Sequence, residues 1–260
     1  MILVIDVGNT NIKYGVYDGS ELKASFRVAS RKNKTADEYG VALVSLLSSS
    51  NISVGDIKGV ILSSVIPSLN YTVCHMCEYF FGVTPLVVGP GIKTGLKIKA
   101  DNPREVGADI IVNSVSAFNK YGGPLIVIDF GTATTFDVIT GRGELTGVII
   151  APGIKTSLEG LVSGTAQLPM IELTSPKSVL GRNTETAMQA GIVYGFAGLV
   201  ENIIKKIKFE LGEEKVTVVA TGGMSKIIKE EVSSIDFVDR TLTLNGLRLI
   251  YDLNQKGERK

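Results

Sequence analysis

The sequence predicts an α/β fold of two similar domains, each a mixed sheet flanked by helices, with a cleft between them. Three observations lead there. Residues 2–22, ILVIDVGNTNIKYGVYDGSEL, return at residues 125–145 as LIVIDFGTATTFDVITGRGEL, and the two align without a gap. Val4, Ile5, Asp6, Gly8, Glu21 and Leu22 recur as Val127, Ile128, Asp129, Gly131, Glu144 and Leu145. Each copy reads as an apolar strand, an acidic residue, a glycine turn dense in Asn or Thr, and a second strand. Helix and strand patterns then alternate in both halves, as in α/β proteins. The halves are assigned to residues 1–118 and 119–260, with the boundary close to Tyr121-Gly122-Gly123-Pro124.

In the first half the hairpin spans Ile2–Tyr17 and closes at Asp18-Gly19-Ser20, and a third strand covers Leu22–Val28. Thr35-Ala36-Asp37-Glu38 has capping-box spacing and opens a helix to about Leu47. The apolar run Gly59–Val65, ending before Pro67, is a buried strand. A helix over Asn70–Phe81 and a short strand at Thr84–Val88 complete the half. In the second half Pro103 suits the first turn of a helix reaching about Lys120. Strands follow at Leu125–Asp129, Thr135–Thr140 and Gly147–Ile150, then helices at Ile154–Val162 and Thr184–Leu211. Lys215–Ala220 is a strand, Thr221-Gly222-Gly223 a turn, Ser225–Val232 a helix and Gly246–Leu253 the last helix.

Composition narrows the function classes. With 260 residues and 44% hydrophobic side chains there is material for two cores. A formal net charge of +1 leaves no electrostatic footprint for nucleic acid. No run of eighteen apolar residues predicts a membrane span, and MILVID reads as a strand, not a secretion signal. Two cysteines make no disulfide framework, which points to the cytoplasm.

The first hairpin tip, Asp6-Val7-Gly8-Asn9-Thr10-Asn11-Ile12-Lys13, has the residue types a phosphate site needs. Gly8 lets backbone N–H groups approach an anion, Asn9, Thr10 and Asn11 add neutral donors, and Lys13 adds a charge for a terminal phosphate. Asp6 can hold a hydrated Mg²⁺ that bridges phosphates. The second tip, Asp129-Phe130-Gly131-Thr132-Ala133-Thr134-Thr135, has no lysine; in the gapless alignment Phe136 stands where Lys13 does. Its threonines and backbone would make the contacts, and Asp129 would bind a cation. Gly222 and Gly223, between a strand and a helix, offer a flat place for a nucleoside.

This order of loops resembles the acetate kinase, sugar kinase, Hsp70 and actin superfamily. DVGNTNIKYGVY, SSVIP, NPREVGAD, IDFGTATTFDVI, APG, LP, Gly181-Arg182-Asn183-Thr184 and TGG occur in the order seen in type III pantothenate kinases. That resemblance implies two ribonuclease H-like domains. It also implies ATP-dependent phosphorylation of pantothenate at its primary hydroxyl to 4'-phosphopantothenate, the first step towards coenzyme A, with Mg²⁺ and a monovalent cation, K⁺ or NH₄⁺. It makes Asp109 the proton acceptor, Asp129 the monovalent-cation ligand and Thr132 an ATP contact. Pantothenate would lie against Gly107, Ala108, Asp109 and Ile110, with help from Thr184, in a homodimer. Two positions depart from the family pattern. Ile110 stands where most relatives have Arg, and Ala100 where a Tyr is frequent. These leave a kinase for another small alcohol, or a non-catalytic regulator, as alternatives.

Other features read as packing. Cys74-His75-Met76-Cys77 sits inside an amphipathic stretch and lacks further metal ligands. Lys205-Lys206-Ile207-Lys208 is a solvated helix face, and Gly191, Gly195 and Gly198 suit either intrachain packing or a dimer contact.

Overall fold

The computed structural model describes residues 1–213 and 215–255. In chain order its elements are β1 (Ile2–Val7), β2 (Asn11–Asp18), β3 (Glu21–Ala29), α1 (Ala36–Ser49), β4 (Gly59–Ser64), α2 (Pro67–Phe81), β5 (Leu86–Val87) and β6 (Lys97–Ile98). Then come α3 (Ala108–Tyr121), β7 (Leu125–Phe130), β8 (Ala133–Ile139), β9 (Glu144–Pro152), α4 (Ile154–Ser163), α5 (Thr184–Leu211), β10 (Thr217–Gly222), α6 (Ser225–Glu231), β11 (Phe237–Val238) and α7 (Leu242–Gln255).

The strands form two mixed sheets. One has the order β3-β2-β1-β4-β5; the other has β11-β10-β7-β8-β9-β6. In each, the leading strand pairs antiparallel with the strand after it and parallel with a later one: β1 with β2 and β4, β7 with β8 and β10. The second sheet is therefore the first repeated, with β6 added beyond β9. The sequence reading missed β6 and β11, which are two residues long each.

The described residues divide into two compact units, one of 1–96, 101–116 and 242–255, the other of 97–100, 117–213 and 215–241. Helix α7 falls in the first unit, although the sequence places it at the end of the second half. In that unit β1 is buried on both faces. Leu3, Ile5 and Val7 join Leu43, Leu47, Leu62, Val73 and Met76 under α1 and α2. The opposite face carries Val4 and Asp6. A side chain added at Gly15, the register partner of Val4, would meet both Val4 and Leu244 of α7. Helix α3 runs beside α7 so closely that a Cβ at Gly246 would lie 2.1 Å from the Val112 carbonyl oxygen. Thr243 Oγ1 donates to Asn113 Oδ1 at 2.8 Å, and Asn245 Nδ2 donates to Ser116 Oγ at 3.1 Å, fixing the register of the two helices.

In the second unit α5 lays Val193, Phe196, Val200, Ile204 and Ile207 on Ile126, Ile128, Phe136 and Val218. Among the described residues α5 is the one helix long and apolar enough to cross a bilayer, and 44% of that stretch is buried in this core. Gly191, Gly195 and Gly198 are not part of that packing, since a Cβ at any of them would meet nothing within 4 Å.

Local chemistry sets the ends. The Thr35 capping box is formed: Glu38 N donates to Thr35 Oγ1 at 3.2 Å and Thr35 N to Glu38 Oε2 at 2.8 Å. Such caps contribute about 1 kcal/mol each. Asn183 caps α5, and Gly212 ends it at φ 65°. One boundary differs from expectation. Pro103–Glu105 is a separate 3₁₀ turn capped by Asn102, and α3 starts at Ala108 after Gly107. Asp109 is thus in the first turn of α3. Cys74 and Cys77 are free thiols on α2, Cys77 buried.

Candidate active site

The first unit assembles its candidate residues at one end of β1. Asp6 is buried, and both carboxylate oxygens have partners from neighbouring strands. Its register partner on β4, Ser63, donates Oγ–H to Asp6 Oδ1 at 2.9 Å. Its partner on β2, Lys13, places Nζ 3.3 Å from Asp6 Oδ2. Past Asp6 the chain turns through Gly8–Asn11, where Gly8 N donates to the Asn11 carbonyl at 3.1 Å. Asn9 and Thr10 are exposed at the tip. Ser30, beyond the end of β3, holds this tip from behind. Its Oγ donates to the Gly8 carbonyl at 2.5 Å and its N–H to the Thr10 carbonyl at 3.0 Å.

Helix α3 brings Asp109 to the same place. Burial pushes its carboxyl above the ordinary carboxylate range; Asp6 pushes in the same direction, while Ile110 N, donating to Asp109 Oδ1 at 2.9 Å, and Lys13 oppose it. Asp109 sits at the positive end of α3, which favours the ionised form, and desolvation outweighs that effect. Asp109 is half-buried, with Gly107 and Ala108 beside it, and Ile110 is buried.

The second unit assembles the other set. Asp129, near the end of β7, has Thr135 of β8 and Thr221 of β10 as register partners. Cross-strand partners share a face, so both threonines lie on the carboxylate's face of the sheet. The turn after β10 sits against it: Gly222 has φ 91°, and a Cβ there would lie 2.5 Å from the Phe130 carbonyl oxygen and 2.6 Å from Asp129 Oδ1. Gly223 is exposed with open space around it. The second tip, Gly131–Ala133, exposes Gly131 and Thr132, and Thr156 Oγ1 donates to the Thr132 carbonyl at 2.8 Å.

The two tips differ in length. In the first, Val7 pairs with Ile12; in the second, Phe130 pairs with Thr134, one residue sooner. The gapless alignment therefore mismatches the second strands. The counterpart of Lys13 across the ladder is Thr135, not Phe136, and Phe136 is wholly buried in the core.

Thr184 stands elsewhere in the second unit, on the first turn of α5. It lines an open pocket of about 740 Å³ with Leu161, Leu168, Arg182 and Met188. Sequence reasoning missed Ser63, Ser30 and Thr156. Ser63 had a signal, since it lies in SSVIP at the end of a strand predicted to be buried.

The residues present suit the ions a phosphotransferase uses. No group of three or more His, Cys, Asp or Glu among the described residues forms a metal cage. A hydrated Mg²⁺ needs none, because it takes one or two carboxylates plus substrate phosphates. Asp6 Oδ2 already faces a cation, the Lys13 ammonium. Asp129 has a threonine as register partner on each neighbouring strand.

Two sheets of this strand order, each with a carboxylate near the end of its leading strand and a glycine tip beyond it, have the fold of the sugar kinase and actin class. Solved structures share the fold. One described as a Baf family transcriptional activator from Campylobacter jejuni superposes with a TM-score of 0.61 at 16% identity, covering 98% of this chain and 100% of that one. A ROK family glucokinase from Streptomyces griseus, in complex with glucose and AMPPNP, gives 0.55 at 13% identity over 98% and 99%. A profile of the type III pantothenate kinase family matches residues 2–206. The type III pantothenate kinase of Bacillus cytotoxicus is 51% identical over 263 aligned positions, 99% of this chain and 100% of that protein. The chain belongs to the type III pantothenate kinase family.

Proposed function

We propose that the protein transfers the γ-phosphoryl group of ATP to the primary hydroxyl of pantothenate, giving 4'-phosphopantothenate and ADP for coenzyme A synthesis in the cytoplasm. The observation that carries this reading is the half-buried carboxylate of Asp109, set on the first turn of α3 within electrostatic range of Asp6 and Lys13. An alcohol is a weak nucleophile, and a carboxylate lifted above its ordinary range is a better proton acceptor for it. As the hydroxyl oxygen bonds to phosphorus, its proton passes to Asp109 and the bridging oxygen leaves with ADP. Lys13 and the donors of the first tip hold the transferred group and spread its charge, which is most of what a protein contributes to such a reaction. Asp6 would hold a divalent cation that neutralises the phosphate oxygens. Gly131, Thr132, Gly222 and Gly223 would receive the rest of the nucleotide, and Asp129 a K⁺ or NH₄⁺ ion.

Gly107, Ala108, Ile110 and Thr184 are assigned to the pantothenate side. Ile110 gives no cation for the substrate's carboxylate, and this favours a second reading, a kinase for a different small alcohol. A homodimer is supported by the open face of Gly191, Gly195 and Gly198 and by the exposed Val179 and Leu180. The test is ADP release with pantothenate, its analogues, sugars and hydroxy acids, each in K⁺ and in a bulky organic cation. Pantothenate should be the preferred acceptor and K⁺ should raise the rate. Turnover of another alcohol with none of pantothenate would select the second reading, and indifference to K⁺ would remove the cation from Asp129.

A further inference from the structure

Resting on the kinase reading above, we infer that Ser63 is a positioning residue that holds Asp6 with a single oxygen free for the divalent cation. Ser63 is fully buried on β4, and Asp6 beside it on β1 is 6% exposed. The four residues before Ser63, Gly59–Leu62, are buried too, so an apolar side chain would suit the position. A hydroxyl buried there costs free energy unless it is hydrogen-bonded. The Ser63 hydroxyl donates to Asp6 Oδ1, at 2.9 Å. Lys13 reaches the same carboxylate from the opposite strand, with Nζ 3.3 Å from Oδ2.

The two oxygens are therefore unlike. Oδ1 is tied to a neutral donor inside the sheet, from a residue that cannot move without the strand. Oδ2 faces an ammonium at the end of a flexible, part-exposed side chain, which can leave for a phosphate when nucleotide binds. Ser63 fixes the plane of the carboxylate and prevents both oxygens from turning to one cation. A cation arriving with the nucleotide then meets one oriented oxygen, the mode a hydrated Mg²⁺ favours. Hydrogen-bond partners behind a metal-binding carboxylate are typically worth about 10–100-fold in affinity.

The experiment is titration of Mn²⁺ into the full-length protein with ADP, read by the electron spin resonance of free Mn²⁺, for wild type, Ser63→Ala and Ser63→Thr. Ser63→Ala should weaken Mn²⁺ binding by about 10-fold or more, and Ser63→Thr, which keeps the hydroxyl, should restore it. The Mg²⁺ concentration for half-maximal turnover should rise in parallel, with KM for the acceptor alcohol changed less than about 2-fold. In an Asp6→Asn background the Ser63→Ala change should add nothing, because the two act as one unit. Should Ser63→Ala fail to fold, Ser63→Cys, similar in size and a weak donor, gives the same reading. Unchanged Mn²⁺ binding in folded Ser63→Ala, or an equal loss in the Asp6→Asn background, would overturn the inference. The titration needs no turnover, so a wild type whose Mn²⁺ binding depends on Ser63 yet which ignores pantothenate would count against the substrate assignment alone.

Discussion

At the first hairpin tip a carboxylate has an ammonium across one ladder and a buried hydroxyl across the other. At the second tip the equivalent carboxylate, Asp129, has a threonine on each side. The frames agree closely: the same strand order, an acidic residue near the end of the leading strand, a glycine opening the turn, and a later hydroxyl clamping a tip carbonyl from behind, Ser30 in one and Thr156 in the other. What changed is one residue of loop length and the charge across the ladder. Because side chains alternate faces along a strand, that one residue brings Thr135 rather than Phe136 beside the acid. The scaffold is the same at both tips, and the side chains across the ladders differ: a lysine and a serine beside Asp6, two threonines beside Asp129.

The largest expected effect is that of Asp109→Asn. It should lower kcat by about 10²–10⁴-fold with the fold intact by circular dichroism; unchanged turnover would remove the base from the first unit. The same variant has a pH signature. Burial raises the Asp109 carboxyl, so its favourable contribution to folding is present in acid and is lost as pH rises through its value. Asp109→Asn should therefore melt no lower than wild type at pH 7, and its relative stability should decline in acid. The acid limb of the wild-type kcat/KM profile should lie above the usual carboxylate value of about 3.9 and be missing from the variant's residual activity.

Next in size is the contrast between Lys13→Met and Thr135→Val. Loss of the lysine should cost about 10²–10³-fold in kcat/KM, the scale for one electrostatic donor to a transferring group, and loss of the threonine less than about 10-fold. Equal losses would mean that the two tips do the same work. The smallest effect concerns stability. Gly222→Ala forces a Cβ onto the Phe130 carbonyl at φ 91° and should cost about 1–3 kcal/mol. Gly223→Ala meets nothing within 4 Å and should change stability by less than about 0.5 kcal/mol. Thermal melting compares the two.

Much of this was legible in the sequence where local chemistry decides. Thr35 and Glu38 announce their helix, α5 begins and ends where Asn183 and Gly212 cap it, and both hairpins stand out by their repeat. Features set by long-range register were not legible. Two-residue strands such as β6 and β11 carry no periodicity. Pro103 is a sound helix opener, but Gly107 interrupts and α3 starts after it. The shorter second tip is invisible to an alignment without a gap, so Lys13 was matched to a core phenylalanine. Ser63 becomes informative only once β4 is known to lie parallel to β1 with their ends level. Asp109 was readable through resemblance, whereas its desolvation is a product of packing.

Helix α7 closes one face of the first sheet, yet it follows every strand of the second sheet in the chain. During synthesis the earlier sheet would leave the ribosome with Val4 and Gly15 uncovered until α7 has been made. A fragment stopping before Leu242 should therefore be sticky and prone to chaperone capture, and a separately supplied peptide spanning 242–255 should rescue it by complementation.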